Sequence, residues 1–416
     1  MSVVPEEREG GAGPNVVTTD AQTEVTVDLR GVTREPGADG TSVHTDAGID
    51  GPDTPGPDTP GPEPDDHAIQ RLWSGPLWTG IARSSGRWIA AIAGALVIFS
   101  ILLISKGADP MTVLGDAILS IVGQPLTLQE IVIKAAPFAL ATLAVVVPAR
   151  AGLVNVGGEG QVLMGAVAAA GVGLALDNSA PGWLVLILAM LAGAAAGAAW
   201  AGLAALLRLF VSVNEAISTL LLNFVALDLL FFLIYEPWKD PNGSGQPATR
   251  ELADAAQLPL LNGTIINVGV FLAIAAAITV WAVFRYTTWG FRLAVVGGNS
   301  EAGRRAGMPV SRLILIAMLA GGALAGLAGF VHFAGVEHEL RPGLTTNIGY
   351  IGFLASWLIR HRPFAALVAA LAFAAIAVAG DSLQIDSGLP AATVSVFTGL
   401  VLIAVLGWSQ RKVVKS

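Results

Sequence analysis

Two polar stretches within otherwise apolar segments are the parts of this sequence best suited to bind a polar ligand. The first reads GLVNVGGEGQVLMG over residues 152–165 and places Asn155, Glu159 and Gln161 among glycines. An isolated carboxylate at the centre of a helix in lipid costs about 2.5–3.5 kcal/mol on insertion scales. Glu159 therefore needs a partner, a water-filled cavity or a position at a membrane surface. The chemistry available to these side chains is hydrogen bonding, to one another or to a ligand.

The second stretch, VSVNEAISTLLLNFVALDLL over residues 211–230, carries a polar stripe on an apolar helix. Glu215, Thr219 and Asn223 recur every fourth residue and drift by only about 40° per step at 3.6 residues per turn. Ser212 and Glu215 have capping-box spacing, so we expect Glu215 to close the start of the helix. Asn223 lies deep in the apolar run, where no capping role is open to it. We expect Asn223, with Thr219 beside it, to face a path through the membrane.

No residue pattern in this chain indicates catalysis, a metal site or a bound cofactor. There are no cysteines, which excludes disulfides, thiolate chemistry and Cys-ligated metals. The sequence contains no phosphate-binding Gly-x-x-x-x-Gly-Lys-Ser/Thr loop and no His-Glu-x-x-His pair. The GGEG cluster follows no strand, so it is not a dinucleotide fingerprint.

Composition indicates an all-α membrane protein with many spans. The chain is 54% hydrophobic and only 13% charged, whereas soluble proteins carry about 25% charged residues. Ten apolar segments are predicted to be membrane helices, and the eighth is short and polar, which predicts a tilted, broken or partly shielded span. These segments are 88–105, 127–148, 160–177, 183–207, 214–235, 264–285, 311–334, 344–359, 363–380 and 390–408.

The net charge of −8 comes from the N-terminal part of the chain. Residues 1–70 hold 15 acidic and 3 basic residues, and residues 51–66 read GPDTPGPDTPGPEPDD. Such a segment cannot bury enough apolar surface to offset its ordering entropy. We expect residues 1–80 to form a disordered, acidic cytoplasmic tail, either a dispensable extension or a regulatory one. Residues 85–410 then form the membrane domain and 411–416 a short basic tail.

Positive charge predicts the orientation of the spans. From residue 80 onward, one set of loops holds fourteen Lys and Arg residues and the other set holds four. The richer set faces the cytoplasm under the positive-inside rule, which places both termini there. The fourteen are Arg83, Arg87, Arg150, Arg208, Arg285, Arg292, Arg304, Arg305, Arg312, Arg360, Arg362, Arg411, Lys412 and Lys415.

Two small-residue motifs and one pair of charged residues predict contacts within the membrane domain. Gly193-x-x-x-Gly197 and Gly322-x-x-x-Gly326 allow close approach between helices. Lys134 lies inside the second span with Glu130 one turn before it, which favours a local ion pair.

Residues 286–312 form the longest cytoplasmic loop. Within it, Asn299 or Ser300 is a plausible N-cap, Glu301 follows in the first turn, and Gly307 offers a stop. The pattern predicts a short helix outside the membrane, either an ordinary charged loop or a docking site for a partner.

Several of these motifs resemble a known family. EAGRRAG, residues 301–307, is similar to the coupling segment of permease subunits of ABC importers. GLVNVGGEGQVLMG, NEAISTLLLNFVA and GYIGFLASWL resemble permeases of nucleoside and simple-sugar uptake systems, within the superfamily that also carries branched-chain amino acids and ribose. The resemblance covers about residues 85–410. Gly303 replaces an alanine of the coupling segment, at a cost of about 1 kcal/mol in helix stability, and the acidic tail has no counterpart.

The resemblance implies a multi-pass permease subunit of the cytoplasmic membrane, not an enzyme, that translocates nucleosides or a related sugar-like solute. It implies ATP-binding subunits that use ATP, a substrate-binding lipoprotein outside and a second, non-identical permease, with no nucleic-acid partner. The implied ATPase contacts are Glu301, Ala302, Gly303, Arg304, Arg305 and Gly307. The alternatives are a permease for branched-chain amino acids or ribose, and an ion-coupled secondary transporter.

The first polar stretch then has a structural interpretation. Arg150 marks the cytoplasmic end of the second span, so residues 151–160 must turn back into the membrane, helped by glycine. Non-helical backbone at that depth must be received by protein or by a water-filled cavity. Asn155, Glu159 and Gln161 therefore tie this turn together, face the translocation path or lie at the surface.

Overall fold

The computed structural model describes residues 93–94, 96–105, 107–176, 179–243, 245–345, 347–387, 396 and 399–400. The predicted tails at 1–80 and 411–416 lie outside the described residues, as does nearly all of the predicted span at 390–408. In the described ranges the fold is helical, with one isolated antiparallel bridge between Leu260 and Asn267.

The α-helices are numbered here in chain order. They are α1 (Leu96–Ser105), α2 (Pro110–Gly123), α3 (Pro125–Arg150), α4 (Gly158–Leu176), α5 (Gly182–Val211), α6 (Glu215–Tyr235), α7 (Gly269–Tyr286), α8 (Thr288–Gly298), α9 (Ser300–Arg305), α10 (Val310–His332), α11 (Ile348–Leu358) and α12 (Pro363–Ser387). A π-helical turn, Phe333–Glu337, extends α10, and Asp254–Ala256 forms a 3₁₀ turn.

Seven of the described helices are long and apolar enough to cross a membrane: α3, α4, α5, α6, α7, α10 with its π-helical turn, and α12. An eighth is added if α1 and the start of α2, which meet at a 117° bend, are counted as one broken span. The predicted all-α membrane fold is confirmed, while the count of ten spans stays a prediction. The sequence prediction missed α2, which begins at Pro110 under an Asp109 cap.

One end of the helix bundle, called here the arginine end, is where α3 and α7 finish and α12 begins. Arg150, the last residue of α3, lies over the ring of Phe284 in α7 at 5.4 Å. Phe364 at the start of α12 contacts Trp281 of α7, with ring centroids 5.3 Å apart. Arg208 near the end of α5 pairs with Glu215 at the start of α6, so these helices also meet at this end.

Two helices begin inside the bundle rather than at either end. Gly160 of α4 contacts Asn223, which lies eight residues into α6, or about 12 Å from the arginine end at 1.5 Å per residue. A Cβ on Gly352 of α11 would lie 2.7 Å from the carbonyl carbon of Ala141, which is nine residues before the end of α3. Because α11 has only 11 residues, the eighth predicted span is a half-length helix, as its polar sequence indicated.

Glycines bring the central helices into backbone contact. A Cβ on Gly197 of α5 would lie 2.7 Å from the Cα of Gly326 in α10, and a Cβ on Gly322 would meet the Cβ of Ala201 at 2.5 Å. The two small-residue motifs therefore pack against each other, which confirms their predicted role.

The predicted pairing of Lys134 with Glu130 is wrong. Lys134 of α3 forms an ion pair with Asp381 of α12, 247 residues further along the chain. The sequence could not indicate this partner, because only the packing of α12 against α3 brings the two side chains together.

Candidate functional site

Residues 151–157 form a non-helical segment that turns back from the arginine end into the protein and joins α4. We call residues 152–157 the re-entrant segment. Gly152 begins it with φ +76°, a left-handed conformation that favours glycine. Leu153 and Asn155 are buried at 3% and 0% exposure, so protein receives this non-helical backbone. The predicted re-entrant turn is confirmed.

Three side chains of α6 bind the backbone of this region in steps that match the helical repeat. The backbone N–H of Val154 donates to Glu215 Oε1 at 3.2 Å, and that of Val156 donates to Thr219 Oγ1 at 3.2 Å. Asn223 accepts from the N–H of Gly160 at 2.8 Å and donates to the carbonyl of Val156 at 3.1 Å. The polar stripe of α6 thus satisfies backbone groups that have no partner within a helix.

Asn155 and Gln161 form a reciprocal amide pair inside the protein. Asn155 Nδ2 donates to Gln161 Oε1 at 3.0 Å, and Gln161 Nε2 donates to Asn155 Oδ1 at 2.9 Å. Asn155 Oδ1 also accepts from the N–H of Gly157 at 3.0 Å. These bonds fix the turn from the re-entrant segment into α4. Each amide uses its donor and its acceptor on the other amide.

Glu159 faces away from this network and binds the start of α11. Its carboxylate accepts from the hydroxyl of Thr345 and from the N–H of Gly349, the latter at 2.7 Å. Asn347, the residue before α11, has φ +67° and supplies no side-chain cap. Glu159 therefore supplies the hydrogen-bond acceptor that a side-chain cap of α11 would provide.

The first turns of α4 and α11 lie against each other because Gly158 and Gly349 have no side chains. A Cβ on Gly158 would lie 3.2 Å from the carbonyl oxygen of Gly349, and a Cβ on Gly349 would overlap the backbone of Glu159. Gly157 and Gly160 similarly face Thr219 and Asn223, whose nearest atoms would stand 2.8 and 2.9 Å from an added Cβ. Close packing, rather than turn conformation, requires most of these glycines.

All five candidate residues are buried, and four of them converge on the re-entrant segment. Asn155, Gln161, Thr219 and Asn223 are at most 3% exposed, and Glu159 is 8% exposed. Asn223 also donates to the hydroxyl of Tyr350 at 3.2 Å, which links α6 to α11. These contacts describe a structural tie, and a role in the translocation path stays a prediction for each residue.

The capping-box prediction for Glu215 is wrong. Ser212 has φ +58° and ends α5, while Asn214 caps α6 by accepting from the N–H of Ala216 at 2.9 Å. Glu215 is free to pair with Arg208 and to bind Val154. Sequence reasoning also missed Thr345 and Gly349, since their contacts with Glu159 span more than 180 residues and leave no local pattern.

The loop between α7 and α10 contains α8 and α9. The predicted short helix is confirmed as α9, whose N-cap Asn299 accepts from the N–H of Ala302 at 3.0 Å. Gly307 has φ +75° and ends the turn that follows. Glu301, Arg304 and Arg305 have side chains 57%, 70% and 80% exposed. The preceding helix α8 was not predicted.

A backbone contact joins this loop to the re-entrant segment. A Cβ on Gly152 would lie 3.1 Å from the carbonyl oxygen of Gly297 in α8, and a Cβ on Gly297 would lie 2.9 Å from the N of Gly152. On the other side, Gly303 of α9 is buried near Val296 of α8 and Val310 of α10. Packing contacts therefore run without a break from α9 through α8 to the first residue of the re-entrant segment.

Comparison with known proteins assigns the chain to a family. A family model described as a branched-chain amino acid transport system permease component matches residues 127–406. The chain is 34% identical over 329 residues to the glucose ABC transporter permease protein TsgB13 of Haloferax volcanii, covering 76% of this chain and 86% of that protein. It is 31% identical over 324 residues to the guanosine ABC transporter permease protein NupP of Bacillus subtilis, covering 74% and 91%.

A nucleoside ABC transporter permease protein, NupB of Lactococcus lactis, is 26% identical over 323 residues, covering 76% of this chain and 88% of that protein. Permeases of this kind are multi-pass membrane subunits that work with ATP-binding subunits and a substrate-binding protein, and the ATPase is a separate chain. The chain is therefore a member of the ABC transporter permease family described as the permease component of the branched-chain amino acid transport system.

Proposed function

We propose that this chain is the permease subunit of an importer in the cytoplasmic membrane that carries nucleosides or related sugar-like solutes into the cell. The printed names of the relatives support this solute class, since they include glucose, guanosine and nucleoside permeases. Glucose and guanosine are both uncharged and rich in hydroxyl groups. The description of the family model supports branched-chain amino acids as the second candidate.

The observation that carries the proposal is the continuous contact from α9 to the re-entrant segment. α9 presents exposed charged side chains at the arginine end, as a docking surface for a separate subunit requires. The residues we assign to this surface are Glu301, Ala302, Gly303, Arg304, Arg305 and Gly307. Movement of the ATP-binding subunits would displace α9, and the contact between Gly297 and Gly152 would carry that displacement into the membrane domain.

The buried polar residues are the elements that such a displacement would act on. The three α6 side chains hold the re-entrant segment against α6, and Glu159 joins α4 to α11. Because α4 and α11 both begin inside the bundle, a small shift of the re-entrant segment changes how their first turns meet. We assign Asn155, Glu159, Gln161, Thr219 and Asn223 to this junction beside the translocation path.

The remaining partners follow from the same proposal. We assign ATP to the partner subunits, and we expect a substrate-binding lipoprotein outside and a second, non-identical permease. The arginine end faces the cytoplasm, and so do both termini. A reporter fused after Gly298 should then lie inside and one fused after Asn242 outside, and a cytoplasmic reporter at residue 242 would refute this orientation.

Uptake into proteoliposomes that contain the whole transporter tests the function. With ATP inside and the binding protein outside, we expect accumulation of labelled guanosine or glucose that persists when ionophores collapse the ion gradients. Uptake of labelled leucine alone would favour the amino-acid permease. Uptake that needs an ion gradient and no ATP would identify a secondary transporter and refute the proposal.

A further inference from the structure

Asp228 is a carboxylate within a membrane-length helix, and none of the described residues pairs with it. It lies thirteen residues after the start of α6 and seven before its end, so about 20 Å and 10 Å separate it from the two ends. Among the described residues, no ion pair or hydrogen bond engages its side chain, which is exposed. By contrast, Glu159 binds α11, Glu215 pairs with Arg208, and Asp381 pairs with Lys134.

The contacts of α6 fix the direction in which Asp228 points. Glu215, Thr219 and Asn223 all face the re-entrant segment and α4. Asp228 follows Asn223 by five residues, which places it about 140° further round the helix. The side chain therefore points away from the described helices that contact the polar stripe, and α6 cannot rotate to turn it towards them without breaking the three contacts.

The surroundings of Asp228 on this face are mostly apolar, with one tyrosine at the end of the helix. The exposed side chains one or two turns away are Leu221, Phe224, Val225, Phe232 and Tyr235, which are 59%, 58%, 53%, 58% and 54% exposed. Apolar residues alone would suit a lipid-facing surface, but an unpaired carboxylate among them would be expensive in hydrocarbon. Intramembrane carboxylates without a protein partner characteristically face a water-filled cavity and mark the route of a solute.

We infer that the second permease subunit covers this face of α6, that Asp228 lines the translocation path there, and that its carboxylate accepts hydrogen bonds from hydroxyl groups of the solute. This inference rests on the proposed function. An ionised carboxylate is an acceptor only and matches the donors of an uncharged, hydroxyl-rich molecule. The apolar residues around Asp228 would contact the less polar faces of a sugar ring or base.

Cysteine labelling tests whether Asp228 lies in a water-filled path. Because this chain contains no cysteine, a single-cysteine variant of it can react only at the introduced position. The assembled transporter carrying Asp228→Cys should react with a charged, membrane-impermeant thiosulfonate reagent, and excess guanosine or glucose should slow the reaction at least threefold. Leu191→Cys is the matched control, since Leu191 is 56% exposed and lies nine residues from the start of α5. It should remain unlabelled, while Asn242→Cys, in the predicted outer loop, should label fully.

Transport by variants tests the role. Asp228→Leu should lower uptake per inserted transporter at least tenfold, whereas Asp228→Glu should retain most of it and Asp228→Asn an intermediate amount. A lipid-facing or merely structural Asp228 predicts the opposite pattern, with equal or better insertion of Asp228→Leu and unchanged uptake.

Absence of labelling at Asp228→Cys, or wild-type uptake by Asp228→Leu, would overturn the inference. Failure of the wild-type transporter to take up either nucleosides or sugars with ATP would instead overturn the proposed function. The two failures are distinguishable because only the second involves the unmodified protein.

Discussion

Glu159 and Glu301 show how burial changes the role of the same side chain. Glu159 is 8% exposed, and both of its carboxylate oxygens accept hydrogen bonds from the start of α11. Glu301 is 57% exposed, and its partners Arg304 and Arg305 lie on its own short helix. The first glutamate therefore holds two parts of the membrane domain together, while the second leaves its surface open to another subunit.

The energetic consequences differ in the same way. Leaving a buried donor without its acceptor costs about 1–3 kcal/mol, and Glu159 serves two such donors. Exposed ion pairs such as those of Glu301 contribute only about 0–1 kcal/mol. Substitutions in the buried junction should therefore reduce the amount of folded transporter, and those in α9 should change its coupling to ATP hydrolysis.

The largest loss of folded protein is expected for Glu159→Leu. This change leaves the Thr345 hydroxyl and the Gly349 N–H without acceptors, at about 2–6 kcal/mol for the two together. The monodisperse fraction after detergent extraction should fall more than tenfold on size-exclusion chromatography. Glu159→Gln keeps the shape and one acceptor oxygen, so it should lose less and leave solute preference unchanged. A Leu variant that assembles like wild type would show that Glu159 is not a structural tie.

Asn223→Leu should have a smaller effect on folding and a clear one on transport. It leaves one buried donor, the N–H of Gly160, without its acceptor, at about 1–3 kcal/mol, whereas Glu159→Leu leaves two. If Asn223 borders the path, uptake per inserted molecule should drop at least tenfold. Thr219→Val removes the hydrogen bond from the Val156 N–H with little change in shape, so it measures how much uptake falls when one contact to the re-entrant segment is lost. Wild-type uptake per molecule for several nucleosides would exclude Asn223 from the path.

Gly297 and Gly298 of α8 test the contact between the loop that contains α8 and α9 and the re-entrant segment. Gly297→Ala places a methyl group against the backbone of Arg150 and Gly152, whereas nothing lies within 4 Å of a Cβ at Gly298. Overpacking of this kind costs about 1–3 kcal/mol, so we expect Gly297→Ala to lower uptake about fivefold or more. Gly298→Ala should stay within about twofold of wild type, since Ala suits a helix better than Gly. Equal uptake by both variants would separate α8 from the coupling route.

The smallest effect on stability is expected for Glu301→Lys. Removing its exposed ion pairs should change the folding free energy by less than about 1 kcal/mol, with normal membrane insertion. Stimulation of ATP hydrolysis by solute and binding protein should nevertheless fall, and a bulky residue at Gly307 should do the same because its φ is +75°. Full stimulation in both variants would remove α9 from the coupling role.

The sequence predicted best the features that depend on neighbours along the chain. The cap of α9 by Asn299, the turn at Gly307 and the return of residues 151–157 into the membrane all follow from residue types within a few positions. The apolar character of the spans likewise follows from composition, because lipid requires it of every exposed helix face.

The partners of the polar residues could not be predicted in the same way. Glu215 has capping-box spacing with Ser212, but the left-handed end of α5 moves the cap to Asn214 and releases the carboxylate. The contact of Glu159 with Gly349 and the pair of Lys134 with Asp381 depend on which helices are adjacent. No periodicity in the sequence indicates which helices are adjacent. Polar residues within apolar segments therefore identified the important side chains but not the groups that each one binds.

The glycine contact between α5 and α10 limits how the membrane domain can change shape. Where Gly197 and Gly322 meet, no side chain separates the two backbones, because a Cβ on either glycine would overlap the carbonyl oxygen of the other. Changes between packed helices occur by small sliding steps or by rotation of rigid units. With no side chains between them to change conformation, we expect α5 and α10 to move together as one rigid unit during transport.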